Sequence, residues 1–238
     1  MINASNKPVI KVAGLSKSYS ISGKHTTIYQ QVAFEANAGE VTLIMGPSGS
    51  GKSSLLRQIA LLDNGKEGDI YYRNTLVSKL NTRAKAKVRA KELGFIFQSF
   101  ALISEFSVLE NCALPLLMNG YSQAQAREKA QRFIHKFIDD MDMHKKPNEL
   151  SGGEQQRVAI IRALVHEPSI IIADEPTGNL DELNANFIKT ELRRMATDLG
   201  SAVVIVSHDA SFIKQADAFY QLIQNESTDS KSCLVRCH

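Results

Sequence analysis

Cysteine is scarce in this sequence, which excludes a disulfide scaffold. Cys112, Cys233 and Cys237 are the only three in 238 residues, an odd number at no framework spacing, as expected of reduced thiols in a cytosolic compartment. The end, Cys233-Leu-Val-Arg-Cys237-His238, carries soft ligand types, but three such groups on a terminus read as a frayed tail before a metal clamp. Long apolar runs are missing too. None approaches the ~18 residues of a membrane span, and Met1-Ile-Asn-Ala-Ser-Asn-Lys7 has no apolar core of a secretory signal. The chain is expected to be soluble, with any membrane role exercised through a partner. Neither sign of charge dominates: a formal net charge of +3 and a pI near 8.7 argue for neither nucleic acid nor anionic lipid. There is no internal repeat, and at 43% hydrophobic and 22% charged the chain can bury a core as one large domain or two small ones.

What is present is concentrated at residues 41–54. The β-type run Val41-Thr-Leu-Ile-Met45 enters Gly46-Pro47-Ser48-Gly49-Ser50-Gly51 and leaves through Lys52-Ser53-Ser54 into the helix-like Leu55-Leu-Arg-Gln-Ile-Ala60. Strand, glycine-rich turn and helix is the order in which successive backbone N–H groups can be aimed at phosphate oxygens, because glycine tolerates angles and close approach that a Cβ forbids. Lys52 adds a point charge for the β- and γ-phosphates. The Ser53 hydroxyl can take a place on Mg²⁺, and the helix beginning there brings its positive dipole end to the same anion. A glycine-rich turn with a chance Lys-Ser is the bland alternative, and the strand before and helix after argue against it.

Elsewhere, β-type runs are expected at 9–12, 29–35 and 68–72, and a buried strand at 94–97. Residues 78–92, with Lys79, Arg83, Lys85, Lys87, Arg89 and Lys91 among alanines, read as a helix with a solvated charged face rather than a nucleic-acid patch, since no aromatics interleave. Helical texture fills about 100–146 and looks like an insert between two strand-rich parts. Pro168 closes the next helix, and short buried strands at 170–173 and 202–206 flank a helix at about 183–199, a βαβ rhythm that implies a parallel sheet. The polar stretch 225–232 is expected to be loose.

Three further stretches carry chemistry. Ile170-Ile-Ile-Ala-Asp174-Glu175-Pro176 ends an apolar strand in two carboxylates, at the rim where ligands of parallel sheets bind. Asp174 would hold Mg²⁺ and Glu175 would orient or deprotonate the attacking water; a solvated acidic turn is the alternative. Leu150-Ser151-Gly152-Gly153-Glu154-Gln155-Gln156-Arg157 has the Ser151/Glu154 spacing of a capping box. Capping does not explain Gly152 and Gly153, which cost helix stability but leave the N-terminus open as a second anion site. One nucleotide has no use for two such loops from one chain, so the second is expected to serve a neighbour's nucleotide. Gln98, at a strand end, could reach Mg²⁺ or the water, although exposed glutamines are usually plain surface. His208, following an apolar run, could touch the γ-phosphate, although a lone histidine is more often structural. Tyr19 could stack on adenine or be an edge-strand tyrosine, and Asp181 reads as a helix N-cap.

Together these motifs resemble the nucleotide-binding subunit of ATP-binding-cassette (ABC) transporters over nearly the whole chain, about 9–222. The resemblance makes Gly46-to-Ser53 the Walker A loop, Gln98 the Q-loop glutamine and Mg²⁺ contact, and Leu150-to-Gln155 the signature. Asp174 and Glu175 become the Walker B pair, Asn179 to Asp181 the D-loop, His208 the switch histidine and Tyr19 the adenine-stacking aromatic. It implies an α/β P-loop NTPase, with a RecA-like core and antiparallel β-subdomain at about 1–99 and 157–225, a helical subdomain at about 100–156, and a polar tail at 226–238. It also implies a head-to-tail homodimer with ATP between Walker A of one copy and Ser151, Gly152, Gly153 and Glu154 of the other. The cofactors would be ATP and Mg²⁺, and the partners integral-membrane permease subunits on the cytoplasmic face of the inner or plasma membrane, with no nucleic acid. Glu110-Asn-Cys-Ala-Leu-Pro-Leu-Leu117 and Asp174-Glu-Pro-Thr-Gly-Asn-Leu-Asp181 resemble the branch of lipoprotein-releasing and macrolide-exporter ATPases. Two stretches depart from the family pattern: 63–68, and 219–238, which lacks the customary glycine turn. The alternatives are an ATPase controlling a cell-wall enzyme through a membrane partner and an ABC ATPase acting on nucleic acid. The latter is disfavoured by the missing coiled-coil insertion and the single cassette.

Overall fold

In the computed structural model, residues 8–21, 24–63, 67–138, 140–178, 180–224 and 232–237 are described. The described residues build ten strands: β1 (Ile10–Ile21), β2 (Lys24–Ala36), β3 (Val41–Met45), β4 (Glu67–Tyr72), β5 (Thr75–Leu76), β6 (Leu93–Ile96), β7 (Ile170–Asp174), β8 (Ala202–Val206), β9 (Ala218–Gln224) and β10 (Ser232–Cys237). Six α-helices alternate with them: α1 (Lys52–Ile59), α2 (Thr82–Glu92), α3 (Val108–Met118), α4 (Gln123–Phe137), α5 (Gly152–Leu164) and α6 (Glu182–Leu199).

All ten strands lie in one sheet, in the order β5-β4-β1-β2-β10-β9-β3-β8-β7-β6. Its two halves differ in kind. From β6 to β3 the pairing is parallel, and β9 joins β3 in parallel on the other side. From β5 to β2 it is antiparallel. β10 runs antiparallel to β9 and touches β2 in parallel at Ser232 and Tyr29, so it is the seam between the halves.

The apolar strands of the parallel half are buried on both faces, as their unbroken Val/Ile runs require. Alternate residues point opposite ways. Ile171, Ala173, Val203 and Ile205 pack toward α3–α6, while Ile170, Ile172, Val204 and Val206 join Leu55, Leu56 and Ile59 of α1 and the inner faces of β1, β2 and β4. Side chains fix the helix starts: Ser107, Ser122 and Ser151 each close a capping box with the residue three positions on, and Asn81 and Asp181 cap α2 and α6.

The structure differs from the sequence reading in several places. β1 extends to Ile21 instead of stopping at residue 12, because register shifts between Val12 and Ser18 let it bend and keep its pairing with β2. The charged face of α2 is not uniformly solvated: Lys85 is buried and Arg89 donates to the carbonyl of Leu61 at 2.8 Å. The division at 156/157 falls inside α5, one continuous helix. The polar tail at 226–238 is in part strand. Ser232 is buried and Leu234 packs against the core, so β10 is held by the backbone pairing it shares with β9. The polar run 225–231, residues 64–66 and His238 lie outside the described residues. A strand rises about 3.3 Å per residue, so Cys233 and Cys237 stand roughly 13 Å apart, too far to share an ion. Among the described residues no group of three His, Cys, Asp or Glu could hold a metal. No helix there is long and apolar enough to cross a membrane.

Candidate functional site

Parallel pairing puts the carboxyl ends of β3, β6, β7 and β8 on one edge, and each is followed at once by a residue picked out from the sequence. β3 runs into the glycine-rich loop, β6 into Gln98, β7 ends on Asp174 before Glu175, and β8 leads to Ser207 and His208. The resulting cleft has a volume of about 820 Å³. Its lining includes Ser48, Gly49, Gly51, Lys52, Ser53, Ser54, Gln98, Glu175 and His208, joined by Thr26, Thr27 and Ile28 of β2.

The loop holds its shape by backbone geometry. Gly51 has φ +95°, and a Cβ there would stand 2.3 Å from Ile28 Cγ2, so both conformation and packing demand glycine. Gly51 is also the N-cap of α1 and offers no side chain to the first-turn N–H groups, which therefore stay open toward the cleft. Lys52, mostly buried, donates to the carbonyls of Gly46 at 2.8 Å and Pro47 at 3.0 Å. Ser50 Oγ is buried with no hydrogen-bond partner among the described residues.

Ser53 Oγ donates to Asp174 Oδ1 at 3.0 Å, and burial pushes the Asp174 carboxyl above its ordinary range, opposed by that hydroxyl. Glu175 adopts φ +46°, a left-handed conformation costly for a residue with a side chain. Its Oε2 accepts from Ser207 Oγ at 3.0 Å and the His208 backbone N–H at 3.3 Å, and lies 2.9 Å from His208 Nδ1. Gln98 lies beside the turn after Glu175, its Nε2 3.9 Å from where a Cβ on Gly178 would stand.

Tyr19 stands on β1 opposite Thr26, half exposed, with Lys17 Nζ 5.2 Å from its ring centroid. Hydrogen bonds to Lys17 and then Ser54 lower its phenol pKa, and Ser54 ties the tyrosine to the cleft. β1 lies between β4 and β2 and is not an edge of the sheet, and Tyr19 is not among the residues lining the cleft.

Ser151, Gly152, Gly153 and Glu154 do not line this cleft. They form the start of α5, with Ser151 and Gly152 exposed. The capping box is real: Glu154 Oε2 accepts from Ser151 N–H and Oγ, both at 2.7 Å, and these bonds, the hydroxyl's first, lower the Glu154 pKa. The two glycines do separate jobs. A Cβ on Gly152 would meet nothing within 4 Å, whereas one on Gly153 would stand 3.0 Å from Asn184 Nδ2. Asn184 accepts from Arg157 at 2.8 Å and donates to Asp181 Oδ2 at 2.8 Å. Asp181 thus caps α6, its carboxyl lowered by the Asn184 backbone N–H, and also ties α6 to α5. Asn179 lies outside the described residues.

Sequence reasoning missed the ties that run from α5 into the site. Gln156 Nε2 donates to the Pro176 carbonyl at 2.8 Å, and Arg162 donates to the carbonyls of Phe100 and Ala101. Phe100 and Ala101 follow Gln98 in successive left-handed conformations, φ +59° and +51°, which Arg162 pins. Thr26 and Thr27 were also missed, since nothing local marks them except their approach to Ile28.

Comparison with known proteins identifies the family. The ABC transporter family profile matches residues 29–178. The lipoprotein-releasing system ATP-binding protein LolD of Buchnera aphidicola subsp. Acyrthosiphon pisum is 39% identical over 221 residues, covering 93% of this chain and 97% of that protein. The protein of the same name from Saccharophagus degradans is 39% identical over 215 residues, covering 90% and 94%. Among solved structures, the dimeric ABC transporter cassette MJ0796 superposes with a TM-score of 0.85 at 36% identity, over 94% of this chain and 96% of that one. The same cassette in a post-hydrolysis dimer with ADP and Pi gives 0.86 at 34% identity, over 96% and 99%.

Proposed function

The chain belongs to the ABC transporter family, and from that premise we propose that two copies close head to tail on ATP to drive a membrane complex. It is an ABC-type ATPase cassette with the P-loop α/β fold of its relatives. The complex is of the lipoprotein-releasing or macrolide-exporter kind, and permease subunits hold the cassette on the cytoplasmic face of the inner or plasma membrane. Relatives named for lipoprotein release and a neighbour solved as a dimer support this reading.

The observation that carries it is the division of the site. The strand ends of one chain gather a phosphate loop, two carboxylates, a glutamine and a histidine around one cleft, while the second glycine-rich helix start lies outside that cleft with Ser151 and Gly152 exposed. Half of an anion site is spare in each copy, and a second copy has use for it.

Gly46, Pro47, Ser48, Gly49, Ser50, Gly51, Lys52, Ser53 and Ser54 hold the phosphates, and Tyr19 stacks on the base. Bound Mg²⁺ would neutralise charge developing on the transferred phosphoryl group. The Ser53 hydroxyl, Asp174 and the Gln98 amide suit it as hard oxygen donors, and the Ser53–Asp174 contact already sets two of them side by side. Glu175 orients the attacking water and takes its proton, and His208 steadies Glu175 and reaches the γ-phosphate. Ser151, Gly152, Gly153 and Glu154 close on the partner's nucleotide, with Asp181 linking that end to α6. The helical unit from about residue 100 to the end of α5 moves against the strand-rich remainder, and the groove beside Gln98 passes the motion to the permease.

Mixing Lys52→Ala with Ser151→Arg subunits tests the shared site. Each mixed dimer keeps one site free of both lesions, so ATPase activity should return on mixing. A mixture no more active than either variant alone would refute sharing between chains.

A further inference from the structure

We propose that Lys189 is a positioning residue for hydrolysis: from α6 it fixes the turn at residues 207–209, and through Ser207 it holds the Glu175 carboxylate in place. The inference rests on the reading of Glu175 as the group that activates water.

The buried stripe of α6 is Ala185, Ile188, Lys189, Leu192, Met195 and Ala196, so a lysine occupies a position that helical periodicity assigns to the core. It is 7% exposed. For packing alone a methionine would fill the space beside Phe212, whose ring centroid lies 5.3 Å from Lys189 Nζ, without the cost of desolvating an ammonium. The ammonium is instead matched to a specific turn. It pairs with Asp209 Oδ2 at 2.9 Å and donates to Ser211 Oγ.

From Asp209 the connection runs by short steps to the carboxylate. The Asp209 backbone N–H donates to Ser207 Oγ at 3.1 Å, and the Ser207 hydroxyl donates in turn to Glu175 Oε2 at 3.0 Å. Ser207 is fully buried, and its backbone N–H is tied to the Ile44 carbonyl of β3 at 3.3 Å, so its hydroxyl has a fixed origin and needs only its direction set. Burial raises the Asp209 carboxyl, but Ser211 and Lys189 outweigh it and bring it to about 2, so Asp209 stays ionised to hold the ammonium. Glu175 sits in a strained left-handed conformation, which persists only where neighbours over-determine it. Ser207 Oγ and the backbone N–H and Nδ1 of His208 all meet its Oε2, and the turn that carries them is the one Lys189 anchors.

The experiment measures steady-state ATPase kinetics, ATP affinity and thermal melting for Lys189→Met, Lys189→Arg and Ser207→Ala, with Glu175→Gln as reference. Lys189→Met should lower kcat roughly tenfold to a hundredfold, the cost of a misplaced catalytic group, with KM and ATP affinity within about twofold. Lys189→Arg, which can still reach Asp209, should recover most of the loss. In a Glu175→Gln background Lys189→Met should lower the residual rate no further. A normal kcat for Lys189→Met overturns the proposal, as does a fall in kcat matched by an equal fall in ATP affinity. Should Lys189→Met not fold, Ser207→Ala decides: a kcat-only loss supports the proposal and wild-type turnover overturns it. If Glu175→Gln itself turns over normally, the assignment of Glu175 fails; if Glu175→Gln is inactive and Lys189→Met is normal, only the role of Lys189 fails.

Discussion

The chain contains two glycine-rich helix starts, and they are built on opposite plans. α1 begins at Gly51, which caps nothing with a side chain and places the open N–H groups inside a cleft beside Lys52. α5 begins at Ser151, whose hydroxyl and partner Glu154 satisfy the helix end within the chain, at the surface and with no lysine in the first turn. A helix end left unsatisfied costs stability until an anion arrives, so α1 is suited to hold a phosphate by itself. A helix end already capped is stable alone and lends its remaining donors to a ligand held by something else. The difference separates holding a nucleotide from completing its site.

The largest effect that tests this separation comes from leaving both helix starts intact and removing the chemistry between them. Glu175→Gln should cut turnover by about 10²- to 10⁴-fold while ATP binding persists, and gel filtration with ATP should show a dimer accumulating. Near-normal turnover would remove Glu175 from its role.

Next in size are lesions at one end only. Lys52→Ala should weaken ATP binding to the isolated subunit by roughly 10- to 100-fold, the loss of one hydrogen-bonded charge. Ser151→Arg should leave that affinity within about twofold and still suppress hydrolysis at least about tenfold. Equilibrium titration separates them; equal losses of affinity would erase the distinction between the two ends.

The smallest effect is the sharpest control. Ser122 caps α4 with the same geometry as Ser151, in a helix remote from the cleft lining. Ser122→Ala and Ser151→Ala should each cost about 1 kcal/mol, a melting shift of roughly 2–4 °C, but only Ser151→Ala should also lower turnover. If both leave turnover unchanged, the Ser151 hydroxyl is a cap and nothing more.

The site's strand ends were legible in the sequence because each consists of a short apolar run followed directly by its chemical group, a local pattern. Gly46 to Ser53, Gln98, Asp174, Glu175 and His208 all follow that rule, and parallel pairing brings them together without further instruction. What was not legible depends on partners distant in sequence. Gly153 is glycine partly because Asn184 packs against it. Arg162 and Lys189 look like ordinary helix cations until the carbonyls of Phe100 and Ala101 and the carboxylate of Asp209 meet them. β10 is short and ends in polar residues, and what holds it is a neighbouring backbone rather than an apolar pattern.

That seam strand has a consequence for assembly. Within the sheet the antiparallel and parallel halves meet through β10, where Ser232 pairs with Tyr29, while below the sheet the inner faces of β1, β2 and β4 share one core with α1 and the parallel strands. Until β10 docks, the facing edges of β2 and β9 have no strand between them. Edge-on association is therefore open to the molecule before β10 docks and closed once it has.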